Sequence, residues 1–521
     1  MMPRSLFRVP PAFRVAPADA RFPGALFACL MALCLGLPAA AADTGEDRWS
    51  VMMMQGQKIG WMREGVRTND DGHTVSTTHT EMTMRRGEIA IEMVMKTEFV
   101  ETPDGEPVRM RYMQNLGSAP METRYVFTDD GVRVTTLQFG RKTTRTEPLP
   151  EGEWLTPEEM RIFIEKRVEA GADRIEVATV SPATGLEPFV SVYTRKGEGN
   201  VEVFGKTVPA IEFEVTESVA NTTSATFVDR TGAALRTETA MGGITIEMLA
   251  TSEALATAPF DAPEMMNDSL IHIDQDIPDA RTSRRASFIV HHDSNDPVDL
   301  IESGSILDAG VQRVARVAGR HAAVRVIVDL DDNRAAMLTE DERAEALGYS
   351  AYIDPTDPEI VALAKRAARA SAGFDEASDM QKAEMLEDFV AGYVQYKNLG
   401  VGFATSAEVC RTREGDCSEH AMLLAALLRA HEIPARAVTG LVYADGFMGE
   451  RRIFGYHMWT QALVEHEGES VWHDVDAAIR TMDATHIAMG ASTYAGDDPV
   501  EGMLDVITVF GSLAIEVESV E

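Results

Sequence analysis

The sequence predicts an α+β protein, in which an N-terminal antiparallel β-rich part is followed by a C-terminal α+β core. Three observations carry this reading. From about Asp47 to Thr257 apolar runs alternate with recurring turn signals. From Asp357-Pro358 the apolar period becomes helical, and beyond Ala430 it returns to alternation. Ahead of both, the first forty or so residues have the basic, apolar, small-residue order of an export signal. The expected division is 1–42 signal peptide, 43–258 β-rich accessory domain with one central helix, 259–341 small β or linker region, and 342–521 the C-terminal α+β domain.

In the leader, Arg4, Arg8, Arg14 and Arg21 precede "ALFACLMALCLGLP" (Ala25 to Pro38) and then "AAAA", with cleavage expected near Ala42. The apolar run is short for a membrane span. Neither Cys29 nor Cys34 follows the small residues that lipid attachment wants, and cleavage would remove both, leaving Cys410 and Cys417. A periplasmic or secreted protein is expected, with no integral membrane segment after cleavage.

A chain of 521 residues with 45% hydrophobic content can build two or three cores. With 83 Asp plus Glu against 48 Lys plus Arg, nucleic acid and anionic lipid are poor partners, and an acidic solvated surface is the expectation. The 28 Met residues mostly alternate within strand-like runs, as core residues do, which argues against a copper-handling reading.

Within the β-rich part, "EIAIEMVMKTEFVE" (Glu88 to Glu101) reads as a strand, and "NDDG", "PDG", "DDG" and "DRTG" mark turns at Asn69, Pro103, Asp129 and Asp229. One helix interrupts: Thr156 suits the N-cap, Pro157 the first position and Glu159 a capping box. Two half-sheets around a helix are expected, loosely like the curved sheets of lipoprotein carriers, with an accessory role preferred to lipid binding. The next region mixes the polar "QDIPDARTSRR" with strands "ASFIVHH" and "AAVRVIVDL"; His291 and His292 fall on opposite faces, which does not suit a shared metal. Met385, Leu386, Phe389, Val390, Tyr393 and Val394 form a helical stripe.

The chemistry concentrates in "TREGDCSEHAMLLAALLRA" (Thr412 to Ala430). Gly415 lets the chain turn, Asp416 can cap and Glu419 completes a capping box, so a helix begins at Cys417. The unpaired N–H groups and dipole of a helix start favour a thiolate and can hold an oxyanion. A thiol nucleophile needs a base. His457 in "GYHMWTQALVEH", at the start of an alternating strand, and Asp476 in "ESVWHDVDAAI" supply a Cys-His-Asp arrangement, the carboxylate orienting the imidazole.

These segments, "GDCSEHAMLLAALLRAHEIPARAVTGLVY", "YHMW" and "WHDVDA", resemble the transglutaminase-like superfamily, whose core has a papain-like arrangement of helix and sheet. The resemblance covers roughly Asp357 to Ile479 with three motifs in family order. It implies Cys417 as nucleophile, His457 as general base and then acid, Asp476 as its orienting partner, and Trp459 as the family's tryptophan after the histidine. The chain departs from the pattern at Glu432, where glycine is usual, at Ala477, where proline is common, and at Cys410, where an aliphatic residue is usual. Asp474 is the fallback for Asp476.

His420 lies one turn from Cys417 and reads as a helix-start packing residue. Cys410 reads as a buried small hydrophobe rather than a disulfide partner of Cys417. No cofactor or metal is expected. The expected function is an exported thiol enzyme acting on amide bonds of a protein or peptide through an acyl-thioester, as a peptidase or amidase in preference to a cross-linking acyltransferase. A catalytically inactive polypeptide-binding core and a carrier or scaffold role for the β-domain are the alternatives. The oligomeric state is left open.

Overall fold

The computed structural model describes residues 47–521 apart from 87–88, 117–119, 139–140, 219–221, 242–243, 265–269, 293–298, 351, 397–403, 448, 496–508 and 510. The export leader expected at 1–42 lies outside the described residues. Among those described, no helix is long and apolar enough to cross a membrane.

The alternating N-terminal runs fold as strands β1 (Arg48–Met54), β2 (Gln57–Thr68), β3 (Thr74–Arg86), β4 (Ile89–Glu101), β5 (Pro107–Leu116), β6 (Pro120–Thr128), β7 (Gly131–Gln138) and β8 (Arg141–Glu147). Helix α1 (Pro157–Glu169) follows, then β9 (Arg174–Ser181), β10 (Gly185–Val203), β11 (Lys206–Glu217), β12 (Thr222–Val228), β13 (Ala234–Met241) and β14 (Ile244–Thr251). The two runs are not separate half-sheets. β14 pairs antiparallel with β1, so all fourteen strands form one sheet with β8 and β9 at its ends. That pairing gives the inner strand of each run a partner for its second row of backbone groups.

Many of the strand methionines share one buried cluster. Pairing sets Thr80 opposite Met95, Met82 opposite Met93, and Gln114 between Met95 and Met121. Met52, Met62, Met82, Met95 and Met248 form a buried cluster with Ile59 and Ile246. The expected capping box starts α1, the Glu159 carboxylate accepting the Thr156 N–H at 3.3 Å. Met160, Ile164 and Val168 bury against Ile175, Tyr193 and Phe213. Val180 of β9 shares a core with Phe99, Met110, Tyr125 and Val134 from β4 to β7, so the sheet curls until its ends approach.

After a short helix α2 (Glu253–Ala256), β15 (Ile271–His272) enters the C-terminal half. β16 (Arg285–His292), β17 (Gln312–Val317) and β18 (Arg320–Asp329) take up the two expected strand segments and one more. The chain then supplies α3 (Glu340–Leu347), α4 (Pro358–Ala370), α5 (Asp379–Tyr393), α6 (Ser406–Thr412) and α7 (Cys417–Ala430). It ends with β19 (Ala435–Phe447), β20 (Glu450–His466), β21 (Glu469–Val475), β22 (Ile487–Ser492) and β23 (Leu513–Val520). β15, β20, β19 and β22 pair in that order, with β21 on β20; β17, β18, β16 and β23 form a second sheet. The C-terminal part is thus the α+β unit that the sequence predicts.

Helix α7 is the centre of this half: every residue from Glu419 to Arg429 is buried. Its apolar side chains share a core with Leu386, Val390 and Tyr393 of the expected stripe on α5, and with Ala435, Ala437, Met458 and Ala462 of the sheet. Farther along β19 and β20, Leu441, Tyr443 and Phe454 share a core with Phe288, Val290 and Val326 of the second sheet. β20 begins seven residues before His457 rather than at it, because β19 continues to Phe447 and pairs with the earlier stretch.

Glu432 leaves α7 with φ of 62°, the left-handed conformation that favours glycine. Glu432→Gly is expected to stabilise the fold by about 1 kcal/mol without altering the thiol site, read as a higher denaturant midpoint with an unchanged rate of Cys417 alkylation.

Candidate active site

The turn before α7 is built by side chains that fit only one way. A Cβ at Gly415 would lie 2.2 Å from the Glu419 Cβ, so glycine alone fits there. Gly415 donates its N–H to the Tyr396 carbonyl at 3.0 Å, and Tyr396 donates to Arg413 at 3.1 Å. Asp416 accepts from the Ser418 N–H at 3.2 Å and also caps the Glu419 N–H. Glu419, fully buried, accepts from the N–H groups of Asp416 and Ala404, both at 2.9 Å. Burial and the neighbouring Asp416 push its pKa up to about 8. Cys417 is left at the helix start, partly exposed.

The structure brings Cys417, His457 and Asp476 together. Register sets His457 opposite Gly440 on β19. His457 Nε2 lies 2.7 Å from Asp476 Oδ2, and Cys417 stands close enough to His457 to help raise its pKa. With Nε2 given to the carboxylate, Nδ1 is the nitrogen available to the thiol. Asp476 follows the end of β21, where its Oδ1 accepts the N–H groups of Ala478 at 2.8 Å and Ile479 at 3.2 Å. The fallback carboxylate, Asp474, faces elsewhere: its Oδ1 accepts from Trp459 Nε1 at 2.7 Å and Gln461 Nε2 at 2.8 Å. That bond aligns the indole, which stacks beside His457 at a centroid distance of 6.2 Å.

His420 is buried with its ring against the Asp416 carbonyl, a helix-start contact. Cys410 and Cys417 are both free thiols, and Cys410 is buried in the helical core, where burial pushes its pKa up.

One participant escaped the sequence reading. His486, fully buried at the approach to β22, places Nε2 3.2 Å from the same Asp476 oxygen and Nδ1 3.1 Å from the Asp483 carbonyl. The only sequence signal is a histidine just before an apolar run, which has no motif. Burial alone would lower the pKa of both histidines, but Asp476, joined by Cys417 at His457 and by Asp483 at His486, lifts each to about 9. The same contacts outweigh burial at Asp476 and hold its carboxyl far below the usual range.

Among the described residues, His457, Asp476 and His486 are a group whose ligand atoms lie within 4.8 Å of one another, close enough for a metal ion. Two imidazoles and a carboxylate suit zinc. In this structure, however, the nitrogens that would bind are engaged with the Asp476 carboxylate, so hydrogen bonding accounts for the placement.

With this geometry in view, the comparisons are specific in one stretch. Residues 365–477 match the family model of the transglutaminase-like superfamily, and this part of the chain is a transglutaminase-like domain. A search of curated proteins finds no match. Among solved structures the chain is similar to a beta-barrel-like protein of a domain of unknown function from Brucella abortus, with 10% identity, 40% of this chain and 95% of that chain covered, and a TM-score of 0.30. It is also similar to a candidate cysteine protease from Cytophaga hutchinsonii, with 16% identity, 46% and 84% covered, and a TM-score of 0.26. A candidate protease from Parabacteroides distasonis shows 11% identity over 76% of this chain and 68% of that chain, with a TM-score of 0.20.

Two outcomes follow from the site. A Cβ at Gly440 would lie 2.2 Å from the Ile487 carbonyl and 2.6 Å from the Trp459 ring. Gly440→Ala is therefore expected to cost about 1–3 kcal/mol by overpacking, read by chemical denaturation, and to slow Cys417 alkylation by displacing the indole beside His457. The second concerns pH. Both histidines are raised above the unfolded value of about 6.5, so their stabilisation is complete below that pH and is lost as pH rises through about 9. Thermal scans from pH 6 to 10 should show a falling melting temperature over that window, and His457→Phe should flatten the fall.

Proposed function

We propose that the chain is an exported thiol hydrolase that cleaves amide bonds of a protein or peptide, with Cys417 as nucleophile, His457 as base and acid, and Asp476 as the residue orienting His457. The observation that carries this is the 2.7 Å hydrogen bond between His457 Nε2 and Asp476 Oδ2, beside a cysteine at the start of a buried helix that is close enough to raise the His457 pKa. Export rests on the leader 1–42; residues 43–258 are assigned an accessory role, and 342–521 the chemistry.

The steps follow from the geometry. With the proton held on His457, as its raised pKa favours, the Cys417 sulfur bonds to the amide carbon and the carbonyl oxygen becomes an oxyanion. Asp416 engages the N–H groups of Ser418 and Glu419, so the N–H of Cys417 itself is the nearest helix-terminal donor for that oxyanion. The carbon–nitrogen bond then breaks, and His457 passes its proton to the departing amine, leaving a thioester. In the second half a water adds, His457 takes its proton, and the carbon–sulfur bond breaks to release the acid, leaving the sulfur beside the protonated imidazole as at the start. Hydrolysis is preferred because Cys417 is partly exposed, which gives water a route to the thioester.

Cys417→Ala is expected to abolish turnover of a peptide-amide library while the melting temperature stays near that of the parent; turnover at parental rates would sink the mechanism. Asp476→Asn should be severe but less so than loss of Cys417 or His457. Activity should fall as pH rises through about 9, where His457 loses the proton the leaving amine needs. For the fate of the thioester, the ratio of amide to acid product should be followed as a lysine-like amine is raised. Acid should stay the main product, and near-complete transfer at low millimolar amine would reassign the enzyme as an acyltransferase.

A further inference from the structure

Outside the three residues already given roles, the most completely built polar cluster lies directly behind them. Asp476 Oδ2 is shared by His457 at 2.7 Å and His486 at 3.2 Å. His486 has no exposed side-chain surface, and neither has Asp483, whose carbonyl lies 3.1 Å and whose Oδ1 lies 3.5 Å from His486 Nδ1. Asp483 is secured in turn: its Oδ1 accepts the Thr485 N–H at 2.8 Å and hydroxyl at 2.5 Å, and its Oδ2 accepts from Arg281 at 2.5 Å. Trp459 braces both rings, stacking beside His457 and meeting His486 edge-on with centroids 5.3 Å apart.

We propose that His486 is a positioning residue for the thiol chemistry, donating from Nε2 to Asp476 Oδ2 so that this oxygen stays aimed at His457. The proposal rests on the assignment of Cys417 and His457 made above. Oδ1 of Asp476 is held by two backbone N–H groups, which pin one end of the carboxylate but leave it free to tilt about that end. A second donor on Oδ2 removes the tilt. Both ring nitrogens of His486 face acceptors, an arrangement suited to the doubly protonated ring, and the raised pKa of His486 agrees with it. His486 therefore supplies Asp476 with a cationic partner that persists while His457 is without its proton, between departure of the amine and attack by water.

The test needs no natural substrate. In a Cys410→Ser background, the second-order rate of Cys417 alkylation by iodoacetamide at pH 6.5 is measured for the parent, His486→Phe and His486→Gln, with peptide mass spectrometry locating the label and melting temperatures taken in parallel. Phenylalanine keeps the ring shape without the donor; glutamine keeps an Nε2 donor. His486→Phe is expected to slow alkylation about 10- to 100-fold, the scale of a misplaced reacting group, and His486→Gln to recover most of the loss even if both variants melt earlier. Alkylation of His486→Phe at the parental rate overturns the proposal, as does equal slowing in both variants in step with their melting temperatures. Stoichiometric zinc in the parent, lost in His486→Gln, would also overturn it in favour of a metal site. If the parental thiol itself reacts no faster than free cysteine, the thiol-enzyme assignment fails and the positioning role falls with it.

Discussion

A carboxylate with almost no access to water, that of Asp476, sets the terms for the C-terminal half of this protein. A buried anion is costly unless every oxygen is engaged and an opposite charge stands close. Here one oxygen takes two backbone N–H groups and the other faces two imidazoles. The effect reaches the neighbouring helix as well. Glu387 on α5 accepts the Asp476 N–H at 2.8 Å, and burial, with Asp476 beside it, pushes the Glu387 pKa up to about 7. One of two close carboxyl groups keeps its charge because it has the cations; the other leans toward neutrality because burial and the neighbouring Asp476 charge outweigh the N–H it accepts.

Satisfying Asp476 recruits elements from far along the chain. β20 brings His457 and, two residues on, Trp459; the segment before β22 brings His486. β22 is itself tied to β17, since the Gln312 amide donates to the Ala488 carbonyl and accepts the Ala488 N–H, both at 2.8 Å. Arg281, on a turn before β16, reaches Asp483 and the Tyr443 carbonyl. The second sheet is thus part of the scaffold that holds the site, and its core with Leu441, Tyr443 and Phe454 stiffens the same two strands that carry the histidine. The β-rich N-terminal sheet makes no such contribution among the interactions described for this site.

What could be read from the sequence was local. The capping box at Asp416 and Glu419, the turn at Gly415, the stripe on α5 and the capped start of α1 are each decided within one or two helical turns, and the residue types announce them. Cys417, His457 and Asp476 lay in segments whose order matches a known family. The pairing of β14 with β1 was not legible, because antiparallel pairing between strands some two hundred residues apart leaves no mark on either one. His486 was hidden for a related reason. It follows Asp483 in "DATHIA", where neither spacing nor alternation tells a packed histidine from one aimed at a carboxylate brought in by a different strand. The start of β20 was misjudged because its first residues are polar, and only the partner strand shows that they pair.

The site's charges can be followed in sequence: thiol, His457, Asp476, His486, Asp483, Arg281, with each imidazole between acidic partners and the thiol and the arginine at the two ends reaching solvent. Chains of this kind contribute little net stability, since desolvation of each member offsets much of the attraction, and apolar residues of similar volume fill such space at lower cost. What they contribute is direction. A carboxylate flanked on two sides by cations has one favoured orientation, and rotation away from it breaks two hydrogen bonds at once in a medium of low dielectric. The nucleophile needs that direction, because proton transfer between sulfur and imidazole is sensitive to the angle at which the ring is presented. The arrangement therefore uses buried charge as a hinge pin, and the cost of burial is spread over strands whose packing is secured elsewhere by Phe288, Phe454 and Met489.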